Sequence, residues 1–333
     1  MKILIIQSSS LGKVVMSTPV IRLLKTQLEA EVHVASDSEY IQVLENNPYL
    51  DEIHSTSNSA ITSSNSLKHQ GFDLIIDLDN SIKSFLTRVF LKGKKIIHRH
   101  KRIKKWWSLK LRLNHHPERH LTDRYIETLA SLGVKPDNLG LDFFISDRNH
   151  VERNWLPKTH QNGYAVFILD ATKKTKQLPI KRMIELCDRI NKPIILLGGN
   201  WVNKLAVEIE QFFRRGSEQE EKEIESLNKK TAIFNACGKF NLNQTASIID
   251  QANWVFTHDN DLMHVAAALN KQTFSIWGSS TANFGEYPYR TKFTIFENTK
   301  IKCRPCSFRG YDKCPKGHFK CMNDLTFDFY LPD

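Results

Sequence analysis

The chain has 333 residues, of which 41% are hydrophobic, and a formal net charge of +11. That length supports two domains with their own cores, the apolar share excludes a largely disordered chain, and no run approaches the roughly 18 apolar residues of a membrane span. Met1-Lys2 leads into a strand's length of apolar residues and then three serines, which is not a secretory leader, so a cytoplasmic location is expected.

Lys2 to Gln7 reads as a buried strand, and Val14 to Leu28 as an amphipathic helix with Val15, Ile21, Leu24 and Leu28 inward. Pro19 interrupts that pattern, so the regular helix is expected to start there and 13–18 to form an irregular turn. Glu31 to Ala35 is the next strand and Glu39 to Glu45 a helix. Ser55 to Ser66, mostly Ser, Thr and Asn, reads as a loop. Asp73 to Leu78 is a strand, Ser81 to Leu91 a helix, and Lys95 to His98 a strand.

Between Asn80 and Pro117 there is neither Asp nor Glu. That window carries Lys101, Arg102, Lys104 and Lys105 beside Trp106 and Trp107. A basic stripe with interfacial Trp suits a polyanion such as anionic lipid headgroups, a phosphorylated glycolipid or nucleic acid. A solvated basic helix is the alternative. Helices are expected through this stripe and through Leu121 to Leu132. Strands alternating with helices make the first 150 residues a Rossmann-like α/β domain with a parallel sheet.

Residues 146–162 lack periodicity and read as an interdomain linker. A second α/β series occupies 163–333: strand Tyr164 to Leu169, helix Ile180 to Ile190, strand Pro193 to Leu197 ending in Gly198-Gly199, helix Asn203 to Phe213 with a charged extension to 230, strand Thr231 to Phe234 and helix Asn243 to Gln251. Then comes a βαβ unit: strand Trp254 to Thr257, helix Leu262 to Leu269 and strand Gln272 to Trp277. Its polar loops, 258–261 and 278–285, lie at the carboxyl ends of the strands, where ligands bind in doubly wound sheets. The loop after the first strand has a single Gly and lacks G-x-G-x-x-G, so a dinucleotide-dependent dehydrogenase is a weak reading.

The opening MetLysIleLeuIleIleGlnSerSerSerLeuGlyLysValVal, ThrLysGlnLeuPro at 175–179, AspAsnAspLeuMetHisValAlaAlaAla at 259–268, TrpGlySerSerThr at 277–281 and the stretch 303–322 resemble glycosyltransferase family 9, the ADP-heptose:lipopolysaccharide heptosyltransferases. The resemblance implies the GT-B arrangement, two Rossmann-like domains facing across a cleft, with acceptor bound mainly by the first and nucleotide sugar by the second. It implies inverting transfer of heptose from ADP-heptose or a similar nucleotide sugar to a lipopolysaccharide-type acceptor, with no cofactor required. The basic stripe would then hold the acceptor, peripherally at the inner membrane surface, and nucleic acid is the weaker partner. Carried over by position, Lys176 meets a diphosphate oxygen as a point charge. Thr172, Asp259, Asn260, Asp261 and Leu262 line the nucleotide, His264 lies one turn into the helix near sugar or phosphate, and Ser279 and Ser280 offer hydroxyls to the same anion.

Three positions depart from the family. Lys13 stands where the family has the Asp proposed as general base, and an unperturbed Lys, with a pKa of about 10.4, is a poor base near neutrality. Asp261 stands where the family has Gly, putting a negative charge where a diphosphate is expected. Asp170 replaces a small Gly at a strand end. Asp37, Asp77 and Asp79 follow first-domain strands and could supply a substitute base. The departures also leave open a catalytically inactive glycolipid- or protein-binding module.

Cys303-x2-Cys306-x7-Cys314-x6-Cys321, with His318 nearby, can be read as a structural knuckle for zinc or iron, or as reduced thiols inherited with the C-terminal segment. Cys187 and Cys237 are expected in the core.

Overall fold

The computed structural model describes residues 1–56, 66–99, 118–220 and 231–332, with backbone alone at 215–220. The basic stripe from Lys101 to Trp107 lies outside the described residues. Two parallel sheets make two Rossmann-like domains. In the first, β1 (Lys2–Ile6), β2 (Glu31–Asp37), β3 (Glu52–Thr56), β4 (Leu74–Asp77) and β5 (Lys94–Ile97) are ordered β3-β2-β1-β4-β5. In the second, β6 (Ala165–Ile168), β7 (Ile194–Leu197), β8 (Ile233–Asn235), β9 (Trp254–His258), β10 (Thr273–Trp277) and β11 (Phe293–Glu297) are ordered β11-β10-β9-β6-β7-β8. Counted within its own domain, the second order is 3-2-1-4-5-6, the doubly wound dinucleotide order. Every pairing is parallel, as Ile3↔Val32, Ile5↔Ile76 and Phe167↔Phe256 illustrate.

Strands buried on both faces need continuous apolar runs, and β1, β4, β6 and β7 have them. The helices are α1 (Leu11–Leu28), α2 (Ile82–Val89), α3 (Leu121–Glu127), α4 (Ile180–Ile190), α5 (Asn203–Glu220), α6 (Leu242–Gln251), α7 (Leu262–Ala268) and α8 (Lys320–Asn323). Two strands escaped the sequence reading. β3 mixes charged and apolar residues, and β11 follows a Tyr- and Pro-rich stretch at a sheet edge. The expected helix at Glu39 to Glu45 is a 3-10 segment, Ser38–Val43, and that at 121–132 ends at Glu127 before a 3-10 turn.

Helix α1 also differs from expectation. It runs unbroken through Pro19 and is buried on all sides from Val14 to Leu24. Pro19 brings no N–H for the Val15 carbonyl, and the Thr18 hydroxyl donates to that carbonyl instead at 2.8 Å. Full burial follows from position, because α1 packs on its own sheet and against α3 and α7. One core cluster therefore continues from Ile3 and Val15 through Leu121 and Val265 to Val166.

The linker region does not hang free. Val151 is buried, its N–H donates to Ser247 Oγ at 2.9 Å, and its carbonyl accepts from Gln251 Nε2 at 2.7 Å. A second seam closes at 118–125 and 283–290: Glu118 N–H donates to the Asn283 carbonyl at 2.9 Å, Leu121 N–H to Gly285 at 2.8 Å, and Tyr289 to Asp123. Gly285, at φ +80°, is required there. A Cβ would lie 2.6 Å from the Arg119 carbonyl oxygen.

Candidate active site in the interdomain cleft

In an open parallel sheet the crevice forms where strand order reverses, between β1 and β4 in one domain and between β6 and β9 in the other. Four loops leave those points: 7–10, 78–81, 169–173 and 259–261. Ser10 caps α1, its hydroxyl accepting from Lys13 N–H at 3.3 Å. Lys13 is thus held in the first turn of α1.

Across the cleft, Asn260 rather than Asp261 serves α7. Asn260 Oδ1 accepts from Met263 N–H at 3.2 Å, and its Nδ2 donates to the Asp170 carbonyl at 2.7 Å. Asp261 makes no capping bond to its own helix. Its carboxylate instead accepts the Gly12 N–H in the first turn of α1, and a Cβ on Gly12 would meet Asp261 Oδ1 at 2.5 Å and His264 Cδ2 at 2.8 Å. An anion at a helix N-terminus is favoured by the free amides there. Burial, then the nearby Asp259 and Glu286 carboxylates, raise Asp261 above the ordinary carboxylate range, against the Gly12 amide and Lys176.

Lys176 is buried, and its ammonium lies 2.6 Å from Asp259 Oδ2, which also accepts the Ser280 hydroxyl at 2.6 Å. His264, 4% exposed, is held neutral with a pKa pushed down to about 4 by burial, and its Nδ1 has no protein partner. His120, also depressed to about 4, is within electrostatic reach of His264 and is fixed by Tyr287 O at 2.8 Å and by Thr122 N–H at 3.1 Å. His258, again near 4, accepts the Leu178 N–H on Nε2 at 3.1 Å. A buried cation, two carboxylates and an unfilled imidazole nitrogen thus meet at one seam.

The sequence model of glycosyltransferase family 9 (heptosyltransferase) matches residues 62–313. The chain belongs to glycosyltransferase family 9. A stretch of 100 residues is 32% identical to lipooligosaccharide heptosyltransferase 2 of Haemophilus influenzae; it covers 29% of this chain and spans 27% of that relative's length. The fold is similar to the solved ADP-heptose lps heptosyltransferase II of E. coli, with TM-score 0.69 at 19% identity over 97% of this chain and 98% of that one. It is also similar to E. coli heptosyltransferase WaaC with ADP-2-deoxy-2-fluoro heptose, with TM-score 0.65 at 19% identity over 89% and 92% of the two chains. These likenesses establish a GT-B fold.

Within this family 9 fold the expected site residues separate. Asp261 and His264 meet the first turn of α1 at Gly12, beside Lys13, while Asp259 joins Lys176 and Ser280, Asn260 caps α7 and Leu262 packs against the core. Ser279 faces away: its hydroxyl accepts from Thr175 Oγ1 at 2.9 Å, tying two loops together. Thr172 is exposed in the loop after β6. Asp170 accepts the Gly199 N–H at 3.0 and 3.2 Å and the Trp201 indole, so it rebuilds the turn that a Gly would leave open. None of the three first-domain carboxylates is an idle base: Asp77 is fully buried against Arg88 and Ser84, Asp37 binds Lys83 and Thr56, and Asp79 accepts from Ser81 at 2.9 Å.

The six cysteines are free thiols, with Cys187 and Cys237 in the core. The fold gathers Cys303, Cys306, Cys314 and Cys321: burial, then the neighbouring thiols, raise Cys306 and push Cys321 up to about 11, and Cys303 Sγ is 3.6 Å from His318 Nε2. Tetrahedral ligation with Zn–S near 2.3 Å would bring sulfurs to about 3.8 Å of one another. Among the described residues, the group whose ligand atoms all lie within 4.8 Å is a different one, His33, Glu52 and His54. The thiols are thus near one another without forming a closed metal site. The sequence reading missed the histidine group, although Glu31-x-His33 and Glu52-x-His54 repeat one pattern at the strand period.

Proposed function

We propose that the protein transfers heptose from ADP-heptose or a similar nucleotide sugar to a lipopolysaccharide-core type acceptor with inversion. The observation that carries this reading is the seam where Lys176, His264 and Asp261 meet at facing switch points. Family membership, and relatives whose names specify heptosyl transfer or bound ADP-heptose analogues, support the donor. An acceptor hydroxyl attacks the anomeric carbon, the new C–O bond forms as the bond to the diphosphate breaks, and ADP leaves with the electron pair. Lys176 compensates the charge that develops on the leaving diphosphate. His264 offers its unfilled Nδ1 to the sugar or phosphate.

The hydroxyl proton needs an acceptor, and in our reading it goes to Asp261 rather than Lys13. Asp261 lies against Gly12, one residue from the position of the family's base, and the burial that raises its pKa strengthens it as a base. The charge that looked hostile to a donor thus gains a role at the acceptor side. No resident cofactor enters this reading. The stripe from Lys101 to Trp107 belongs to it through sequence alone, as an acceptor or inner-membrane contact. Asp170 and Asp261 both have partners within the fold, so neither argues for a retired enzyme.

Calorimetric titration with ADP and a transfer assay test the reading. Lys176→Ala is expected to weaken ADP about 10- to 100-fold. Asp261→Asn should lower kcat by about 10²- to 10⁴-fold with ADP affinity little changed, and should abolish the rise of activity with pH on the acid limb. Transfer by Asp261→Asn at the parent rate would remove Asp261 as the base. A folded parent that binds neither ADP nor ADP-heptose would sink the donor site.

A further inference from the structure

We propose that the edge of the first sheet carries a site for a divalent transition cation of the zinc type, made by His33 Nδ1, His54 Nε2 and Glu52, with Glu31 behind it. It lies outside the transfer cleft. β2 and β3 are parallel neighbours in the register His33↔Glu52 and Ala35↔His54. Side chains two apart share a face, so Glu31 and His33 on one strand stand beside Glu52 and His54 on the next. All four lie within the first three residues of their strands, whereas the cleft lies beyond the carboxyl ends.

The geometry is that of a ligand set. His33 is 1% exposed, its Nδ1 lies 2.9 Å from His54 Nε2 and 3.4 Å from Glu52 Oε2, and its Nε2 lies 2.9 Å from Glu31 Oε1. A neutral His33 that donates Nε2–H to Glu31 turns its Nδ1 lone pair towards His54 and Glu52. That is the carboxylate–histidine–metal relay, in which the outer carboxylate fixes the tautomer and raises ligand basicity. Two imidazoles on a tetrahedral cation at about 2.0–2.1 Å lie about 3.3 Å apart, so the ring nitrogens must part by a few tenths of an ångström. The rings, now 11° apart in plane with centroids 5.1 Å apart, must also turn until both lone pairs converge on the cation. Metal binding displaces the proton between the rings: His54 gives up Nε2–H to solvent and takes a proton from solvent at Nδ1, so both rings stay neutral and no net proton is released.

The surroundings fit as well. Phe72 meets both rings edge-on at 5.4 and 6.1 Å and closes one side with apolar surface, while Lys2 holds Glu31 at 3.4 Å. Glu52 is half exposed and leaves an open position for water. Imidazole and carboxylate donors suit zinc and its borderline neighbours. The site clips edge strand β3 to the sheet.

The test is titration of cobalt(II) into the chelator-treated full chain, followed by visible absorption. Cobalt at this site gives d–d bands without a thiolate charge-transfer band, which separates it from any ion held by Cys303, Cys306, Cys314 and Cys321. Glu52→Gln, a change at a half-exposed position, and His54→Gln are each expected to weaken this binding about 10- to 100-fold. Glu31→Gln is expected to weaken it about tenfold, with far-UV circular dichroism unchanged. If His54→Gln fails to fold, Glu52→Gln decides alone. Absence of binding, or binding that shows only the thiolate band and is indifferent to Glu52→Gln, overturns the proposal.

Discussion

Gly12 shows how far one hydrogen atom reaches in this fold. In an exposed helix, Ala is better than Gly by about 1 kcal/mol, because Gly gives up more backbone freedom. Here a Cβ would enter space already held by Asp261 Oδ1 and His264 Cδ2. Gly12→Ala is therefore expected to reverse the usual sign and cost about 1–3 kcal/mol in urea unfolding, as overpacking does, and to lower transfer by displacing Asp261. A stabilised Gly12→Ala protein would mean that α1 and α7 do not meet in solution as they do here. Lys13, one position on, is tied by its N–H to the Ser10 hydroxyl at 3.3 Å at the start of its own helix. Its substitution by Ala is expected to change the rate far less than Asp261→Asn does, in the same transfer assay.

At the scale of elements, α1 depends on a hydroxyl that the hydrophobic pattern does not reveal. Thr18 Oγ1 donates to the Val15 carbonyl at 2.8 Å and accepts the Asp142 N–H at 2.9 Å, so it both repairs the gap left by Pro19 and ties the 134–142 segment to the helix. Thr18→Val keeps the shape and strands both backbone groups. The expected loss is about 2–4 kcal/mol, read as a lower urea midpoint at unchanged slope. Thr18→Ser keeps both bonds and should lose markedly less. The same comparison explains what was legible. The buried strands, the alternation of strand and helix and the βαβ unit at 254–277 follow from apolar runs, and the family motifs brought Lys176, Asp259 and His264 together. The polar edge strand β3 and the turn of Asp261 towards Gly12 each depend on partners far away in the chain or on a neighbouring strand, while continuity through Pro19 rests on the Thr18 hydroxyl beside it, which hydrophobic pattern does not show. Local pattern carries no trace of those. The repeated Glu-x-His was visible at the strand period, but only the register of β2 and β3 makes it one cluster.

At the scale of the whole molecule, three neutral histidines tie stability to pH. His120, His258 and His264 have pKa values near 4 because burial disfavours the charged ring, against an ordinary value of 6.5. Between those values the unfolded chain binds more protons than the folded one, so their contribution is complete above about pH 6.5 and is lost as pH falls towards 4. A shift of about 2.5 units corresponds to on the order of 3 kcal/mol per ring at the acid end. The three do not simply add, since His120 and His264 each oppose a charge on the other. Asp142, Asp170 and Asp261 act in the opposite sense, because burial raises them and their protonation favours the folded form as pH falls. The histidines are expected to dominate as their contribution is lost from about pH 6.5 towards 4, with protonation of the raised carboxylates opposing that loss. Urea unfolding free energies should therefore drop steeply over that interval. In His264→Gln the slope should ease by up to about one proton's worth, 1.36 kcal/mol per pH unit. His120 and His264 are dry only while the two domains hold the seam closed. A parent slope already as shallow as that of His264→Gln would mean that solvent reaches the seam, and with it that Asp261 has no desolvated place from which to act as a base.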